Sequence, residues 1–231
     1  MFDIEEVRVQ AALIDLDGTL VDSFDITRQW WLRWAAASGL EWDTISHRVR
    51  GRTADDILND LIPGRSEELN AADVASLELW EETHIGLVRA TAGAVALLET
   101  LSPDRWAVVT SSTRAQATAM LRGAGLPEPD VLITSDDVDR RKPDPEGYLR
   151  AGAALGADVS RCLVIEDSAA GVLAGRSAGA RVLAVGADLA GRTNEDVLWI
   201  ERLDSVSVIG DSFGFSDIGG DDRELTFHIK V

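Results

Sequence analysis

The stretch at residues 11–23 reads AALIDLDGTLVDS, and it decides how the rest of the chain is interpreted. Apolar residues lead directly into Asp15 and Asp17, so the stretch predicts a buried strand that ends where two carboxylates and a glycine turn begin. In open α/β sheets, ligands bind beyond the carboxyl ends of the strands. Residues two apart on an extended chain point to the same side, so we expect both carboxylates to face one site. Gly18 lets the backbone turn away after them.

The composition excludes several classes of partner. The 231 residues are 45% hydrophobic and 27% charged, which is ordinary for a folded globular protein, and the net charge is −18. That charge argues against nucleic acid and anionic membranes as partners, because both repel an acidic surface. The sequence has no run of residues apolar enough for a membrane span, and its acidic amino-terminal segment differs from a secretory signal. We therefore expect a cytoplasmic protein, and its single cysteine, Cys162, excludes an intramolecular disulfide.

The predicted elements divide the chain into two parts. Residues 7–15 predict the first strand, whereas residues 20–88 carry apolar side chains at helical spacing and predict an all-helical insertion. From residue 89 onward, strands alternate with helices, which predicts a doubly wound, Rossmann-like α/β domain with a parallel sheet. The predicted domains are residues 1–19 with 89–231, and residues 20–88. In the tail, residues 194–203 predict a helix, and residues 206–209 with 225–229 predict a hairpin.

Hydroxyl side chains follow the second strand of the predicted sheet. They are Thr110, Ser111, Ser112 and Thr113, directly after a buried run at residues 106–109. Together with the free N–H groups of the next helix, such hydroxyls can hold phosphate oxygens. Serine and threonine also cap helices, so this group alone fits both interpretations.

Charged side chains follow two further strands. Lys142, one of two lysines in the chain, begins the sequence KPDP, where two prolines restrict the loop and help to aim the ammonium group. Glu166 and Asp167 come directly after another buried strand. Together with Asp15, they supply the hard oxygen ligands that Mg²⁺ prefers. The strand ends therefore predict a magnesium site.

The order DLDGT, TSS, KPDP and EDS at successive strand ends resembles the four-part signature of the haloacid dehalogenase superfamily, most of whose members are Mg²⁺-dependent phosphatases. The helical insertion lies between the first and second motifs, where that family carries a cap domain. Segments such as WAVVTSSTR resemble sequences of the sugar-phosphate and polyol-phosphate phosphatases, a branch of that superfamily to which the β-phosphoglucomutases are closely related. The resemblance implies a small phosphorylated metabolite as the substrate. It leaves open whether the protein is a monomer or a homodimer.

The same resemblance implies a role for each candidate site residue. Asp15 would attack phosphorus and form an aspartyl-phosphate, and Asp17 would act as general acid and then general base. Lys142 would neutralise the nucleophile and the transferring group. The implied phosphate contacts are Thr110 or Ser111, Ser112, Lys142 and nearby backbone amides. The implied metal ligands are Asp15, the backbone carbonyl of Asp17, Asp167, and Glu166 either directly or through water.

Specificity is expected to come from the insertion. Arg50 and Arg52 lie between two of its predicted helices, where related sugar phosphatases contact the substrate, so either could bind sugar hydroxyls or phosphate. One alternative function is a phosphosugar mutase of the β-phosphoglucomutase type, built from the same core residues. Such mutases use lysine and arginine contacts in the cap. This insertion lacks lysine, which argues against the mutase alternative. The other is a catalytically silent binding module, against which the intact acidic residues and Lys142 argue.

Overall fold

The computed structural model describes residues 4–49, 54–186, 197–212 and 224–230. The chain divides into two compact units. The core unit comprises Met1–Asp22 and Ala90–Val231, and the helical unit comprises Ser23–Arg89. Within the described ranges, every helix falls short of the length and apolarity that a membrane crossing requires.

Strands account for the framework of the core unit, in a parallel sheet and a smaller antiparallel sheet. In chain order, the strands of the described residues are β1 (Ile4–Val9), β2 (Ala11–Ile14), β3 (Val21–Asp22), β4 (Arg89–Ala90), β5 (Trp106–Val109), β6 (Val131–Ile133), β7 (Cys162–Glu166), β8 (Arg181–Val185), β9 (Val197–Ile200), β10 (Val206–Ser212) and β11 (Glu224–Lys230).

The parallel sheet has the strand order β6-β5-β2-β7-β8-β9. Its central strand β2 pairs with β5 on one side and with β7 on the other. Every residue of β2, β5 and β7 is buried, which is the pattern of strands covered on both faces of a sheet. The predicted doubly wound α/β fold is confirmed. Because these strands are parallel neighbours, their carboxyl ends share one edge of the sheet.

Helices follow the strands of the core unit and form the helical unit. Side chains cap the start of some of these helices: Thr113 and Gln116 form a reciprocal capping box, and Ser66 accepts a hydrogen bond from the Leu69 N–H. The helices are α1 (Phe24–Ala37), α2 (Trp42–Ile45), α3 (Ala54–Leu61), α4 (Glu67–Thr83), α5 (Ala94–Thr100), α6 (Arg114–Gly123), α7 (Glu146–Ala154) and α8 (Ala169–Ser177). Short 3₁₀ turns lie at Ser46–Arg48, Ile85–Leu87, Pro103–Arg105, Val159–Arg161 and Leu203–Ser205.

Tryptophan side chains form the interior of the helical unit. Trp30, Trp31 and Trp34 of α1 are all buried and pack edge to face, with ring centroids 5.0 Å apart for Trp30 and Trp31 and 5.3 Å apart for Trp31 and Trp34. The indole of Trp34 donates to Asp73 of α4 at 2.5 Å, and that of Trp30 donates to Ser76 at 3.2 Å. The indole N–H groups of Trp30 and Trp34 therefore have partners where the rings are withdrawn from water, and these bonds tie α1 to α4.

The structure differs from the sequence-based expectation at both ends of the core unit. The single strand predicted at residues 7–15 is two strands, β1 and β2, separated at Gln10, whose N–H donates to the Arg161 carbonyl at 2.7 Å. β1 leaves the parallel sheet and pairs antiparallel with β11. The helix predicted at residues 194–203 is wrong for residues 197–200, which form β9 beside β8, and residues 194–196 lie outside the described ranges. The predicted hairpin is confirmed, as β10 pairs antiparallel with β11.

The helix α8 approaches the end of β7 very closely at Gly171. A Cβ atom added to Gly171 would lie 1.7 Å from the Glu166 Oε1 atom, so the Glu166 carboxylate occupies the space that a side chain would need. The hydroxyl of Ser168 caps α8 by accepting from the Gly171 N–H at 3.0 Å. The helix start is therefore fixed directly against the end of the strand.

The variant Gly171→Ala tests this close approach. At an unhindered helical position, replacing glycine with alanine stabilises a protein by roughly 0.5–1 kcal/mol. Here we expect a loss of roughly 1–3 kcal/mol, because Glu166 or α8 must move to admit the methyl group. Urea denaturation measures the change. In the control Ala170→Gly, at an exposed position of α8, we expect the ordinary loss of about 1 kcal/mol. A more stable Gly171→Ala protein would contradict the packing.

The reactivity of Cys162 tests the burial of β7. Burial raises the pKa of this thiol to about 11, and its Sγ atom donates to the Asp158 carbonyl at 3.3 Å. Only the thiolate reacts with a disulfide reagent such as DTNB, and a pKa near 11 leaves roughly a hundredth of the ordinary thiolate fraction. We therefore expect native protein at neutral pH to react at least about 100-fold more slowly than the urea-denatured chain. Equal rates would show that the strand is open to solvent.

Candidate active site

Polar residues converge where the central strands of the parallel sheet end. Asp15 follows β2, and its N–H donates to the Ile165 carbonyl of β7 at 2.9 Å. Thr110 follows β5, and its N–H donates to the Ile133 carbonyl of β6, also at 2.9 Å. The backbone hydrogen bonding between neighbouring strands thus continues to the first residue after β2 and after β5. The backbone positions of both polar residues are fixed by the sheet itself.

Lys142 connects these strand ends. Its Nζ atom donates to Asp15 Oδ1 at 2.6 Å, to Glu166 Oε1 at 2.5 Å and to the Val109 carbonyl at 2.9 Å. An ammonium group has three N–H donors, so all of them have acceptors. Burial opposes the charge, but the carboxylates of Asp15 and Glu166 outweigh it and hold the pKa of Lys142 above its usual range. Lys142 is therefore a charged ammonium group inside an acidic site.

The loop that carries Lys142 is held by its own hydrogen bonds. The Glu146 carboxylate accepts from the N–H groups of Asp139 at 3.2 Å and Arg140 at 3.1 Å. The Arg140 guanidinium contacts Asp144 at 3.1 Å. These bonds join the two sides of the loop to the start of α7. Lys142 therefore extends from a backbone with little freedom.

Glu166 is fully buried, and both of its carboxylate oxygens accept hydrogen bonds. Oε1 accepts from Lys142 and from the Tyr148 hydroxyl at 2.8 Å, whereas Oε2 accepts from the N–H of Ser168 at 3.1 Å and from its hydroxyl at 3.0 Å. Burial, together with the charges of Glu166 and Asp15, raises the pKa of Tyr148 well above its usual value, so the phenol is a neutral donor. Sequence analysis gave no role to Tyr148 and named Ser168 only as part of EDS. The one sequence signal for Tyr148 is that it is the single tyrosine of the chain.

Asp15, Glu166 and Asp167 form an acidic cluster in which one carboxylate oxygen of each lies within 4.8 Å of the others. Burial raises the pKa of Asp15 to about 7, with the charge of Glu166 adding to the rise and Lys142 opposing it. Burial also raises the pKa of Asp167 to about 9, and the charges of Asp15 and Glu166 add to it. Such shifts arise where carboxylates are withdrawn from water with too little positive charge nearby. A cluster of hard oxygen donors in that state fits Mg²⁺.

The turn after β2 brings Asp17 toward the other strand ends. Gly18 has a φ of +84°, which favours glycine, and a Cβ atom added there would lie 1.9 Å from Asp167 Oδ2. The turn therefore needs glycine both for its conformation and for its contact with Asp167. Asp17 Oδ2 accepts a hydrogen bond from the Ser112 hydroxyl at 3.0 Å. The two acids of DLDGT thus have different partners, Lys142 for Asp15 and Ser112 for Asp17.

The hydroxyl residues after β5 have separate environments. Thr113 is the residue that caps α6. Thr110 is buried, and its hydroxyl oxygen accepts from the Ser112 N–H at 3.1 Å, while Ser111 is exposed. A hydroxyl that accepts one hydrogen bond can still donate another, so the Thr110 proton is available to a ligand. Thr113 therefore fits the helix-cap interpretation, whereas phosphate binding by Thr110, Ser111 and Ser112 stays a prediction.

The residues that sequence analysis singled out in the core unit lie at one end of the parallel sheet. These are Asp15, Asp17, Thr110, Ser111, Ser112, Lys142, Glu166 and Asp167. Arg50 and Arg52, predicted to contact the substrate, lie outside the described residues. The arrangement brings together two aspartates after one strand, an ammonium group, hydroxyl donors and an acidic cluster that could hold a cation. These are the groups that phosphoryl transfer requires.

Comparisons with known proteins agree with this chemistry. A family model described as haloacid dehalogenase-like hydrolase matches residues 9–179. Hexitol phosphatase A of Escherichia coli (strain K12) is 38% identical over 205 residues, 87% of this chain and 95% of that protein. Validoxylamine A 7'-phosphate phosphatase of Streptomyces hygroscopicus subsp. limoneus is 38% identical over 177 residues, 74% of this chain and 82% of that protein.

The fold is also similar to solved structures. A HAD family hydrolase from Deinococcus radiodurans R1, with bound phosphate and sodium, has a TM-score of 0.65 and 29% identity, covering 83% of this chain and 91% of that one. The family match includes all of the strand ends that carry the site. The chain therefore belongs to the haloacid dehalogenase-like hydrolase family.

Proposed function

We propose that this protein is a Mg²⁺-dependent phosphatase that hydrolyses the phosphate monoester of a small sugar or polyol. The observation that carries the proposal is the Lys142 ammonium group, which contacts Asp15 at 2.6 Å beside the acidic cluster. Phosphoryl transfer depends mainly on alignment and on cancelling the charge of the transferring group. Similarity to hexitol phosphatase A and validoxylamine A 7'-phosphate phosphatase supports the substrate class and favours a phosphatase over a mutase.

The proposed substrate contacts follow from the donors at the strand ends. Lys142 and the Thr110 hydroxyl, with Ser111, bind the phosphoryl oxygens. Asp15, Asp167 and the backbone carbonyl of Asp17 hold Mg²⁺, which supplies positive charge to the phosphoryl oxygens when it is bound.

Glu166 has a supporting role in this proposal. Its two oxygens already accept four hydrogen bonds, from Lys142, Tyr148 and Ser168. A carboxylate with about four lone-pair sites has little capacity left for a metal ion at the same atoms. We therefore assign Glu166 to holding Lys142 in place and to adding negative charge beside the cation.

The first chemical step transfers the phosphoryl group to the protein. A carboxylate oxygen of Asp15 attacks phosphorus, the bond between phosphorus and the ester oxygen breaks, and the Asp17 carboxylic acid gives its proton to that oxygen. The products are a neutral alcohol, an aspartyl-phosphate on Asp15 and an Asp17 carboxylate. Lys142 remains beside Asp15 and stabilises the charge of the transferring group.

The second step returns the protein to its starting state. Water attacks phosphorus, its proton passes to the Asp17 carboxylate, and the bond between phosphorus and Asp15 breaks. Inorganic phosphate is released, Asp15 is again a carboxylate and Asp17 is again an acid. The sum of both steps is ester plus water to alcohol plus phosphate.

The variant Asp15→Asn tests the nucleophile. We expect the parent chain with Mg²⁺ to release inorganic phosphate from sorbitol 6-phosphate, glycerol 1-phosphate or p-nitrophenyl phosphate. The variant should be at least about 10³-fold slower because the amide cannot form the covalent intermediate. A colorimetric assay of free phosphate gives both rates. The control Asp130→Asn removes one exposed carboxylate outside the site and should keep full activity.

Two outcomes of that assay contradict the proposal. Equal rates for the parent and the Asp15→Asn variant would indicate a silent member of the family with contaminating activity. Conversion of β-glucose 1-phosphate to glucose 6-phosphate without free phosphate would indicate a phosphosugar mutase. Either result would overturn the proposed phosphatase function.

Thermal denaturation tests the metal site independently of catalysis. We expect Mg²⁺ at roughly 100 times its Kd to raise the melting temperature of the parent chain by about 5–10 °C, because the ion binds the folded acidic cluster alone. Asp167→Asn should lose that rise, whereas Asp130→Asn should keep it. An undiminished rise in Asp167→Asn would exclude Asp167 as a ligand.

A further inference from the structure

The Ser112 hydroxyl points at Asp17 from a backbone that is fixed on both sides. Its Oγ atom donates to Asp17 Oδ2 at 3.0 Å. The Ser112 N–H donates to the Thr110 hydroxyl at 3.1 Å, and the Ser112 carbonyl accepts from the Ser135 N–H at 3.0 Å. The backbone from which the hydroxyl extends is therefore held by the segment after β5 and by the segment after β6, independently of any ligand.

A serine hydroxyl has one proton, and this one is given to Asp17. While that bond exists, Ser112 has no proton to donate to a phosphoryl oxygen. Thr110 and Lys142 can still make such contacts. In the sequence, Ser112 stands beside the predicted phosphate-binding residues. Its hydrogen bond to Asp17 assigns it a different role from theirs.

We propose that Ser112 is a positioning residue for the general acid and base Asp17. This inference rests on the proposed function, in which Asp17 protonates the leaving alcohol. Because Oδ2 accepts the bond from Ser112, the transferable proton is carried by the other oxygen, Oδ1. The same bond serves both half-reactions, since a hydroxyl can donate to a carboxylic acid at its unprotonated oxygen as well as to a carboxylate.

Positioning has a physical basis in side-chain freedom. A carboxyl group rotates about its side-chain bonds except where hydrogen bonds restrain it, and proton transfer requires hydrogen-bond contact with the leaving oxygen. A fixed donor on Oδ2 holds the carboxyl group in one orientation before the substrate binds. Loss of that donor lowers the fraction of molecules in which Oδ1 faces the ester oxygen.

The test compares two leaving groups in the variant Ser112→Ala. An alkoxide such as that of sorbitol 6-phosphate needs a proton as it leaves, whereas p-nitrophenolate is a stable anion that leaves without one. The ratio kcat/KM reports the steps up to departure of the leaving group. We expect kcat/KM to fall about 10- to 100-fold for sorbitol 6-phosphate and less than about 3-fold for p-nitrophenyl phosphate.

Further variants separate positioning from a general structural effect. Ser112→Thr keeps the hydroxyl and should restore most of the lost rate on sorbitol 6-phosphate. Ser135→Ala removes a nearby buried hydroxyl that has no hydrogen bond among the described residues, and it should leave both substrates unaffected. In an Asp17→Asn background, Ser112→Ala should cause no additional loss on sorbitol 6-phosphate, because the two residues act as one unit.

Each other outcome overturns a specific statement. An equal loss on both substrates would show that Ser112 binds the phosphoryl group, and no loss on either would show that Asp17 does not need it. Both results leave the phosphatase function intact. Absence of turnover by the parent chain on both substrates would overturn the proposed function and the role of Ser112 with it.

Discussion

The contact between the Lys142 ammonium group and two buried carboxylates is the interaction on which the site depends. Parallel strands bring Asp15, Glu166 and Asp167 to one sheet edge, where burial and the neighbouring acidic charges raise the pKa values of Asp15 and Asp167. Lys142 supplies a positive charge from a loop remote in sequence, and all three of its N–H groups find acceptors. A buried acidic group without such a partner would be protonated or solvated. The fold can therefore concentrate acids at this edge because the lysine loop closes against it.

The parallel sheet and the convergence of the site residues could be predicted from the sequence for one physical reason. Short apolar runs followed by helical periodicity require crossovers, and crossovers make strands parallel. Once strands are parallel, the residue after each buried run must lie at the same sheet edge. Asp15, Thr110 and Asp167 each follow such a run, so their proximity follows from topology alone. The order of the strands was not needed for this inference.

Features that depend on contacts between residues far apart in the chain could not be predicted from the sequence pattern. Residues 197–200 form β9 only because β8 offers a free edge, and nothing local in that segment distinguishes an edge strand from part of a helix. The break at Gln10 depends on a hydrogen bond to Arg161, far away in sequence. Tyr148 reaches Glu166 only because α7 packs with a particular rotation. Long-range partners decide each of these features, and a single sequence does not encode them as a local signal.

The site also illustrates how one residue type acquires different chemistry from its surroundings. Asp15 contacts an ammonium group, Asp17 accepts from a neutral hydroxyl, and Glu166 has both oxygens engaged by protein donors. Under the proposed function these contacts match the assigned roles, because Lys142 lies against the nucleophile Asp15 and the Ser112 hydroxyl lies against the proton carrier Asp17. In the proposed mechanism, the partner of each carboxyl group, rather than its position in DLDGT or EDS, distinguishes the nucleophile, the proton carrier and the supporting residue.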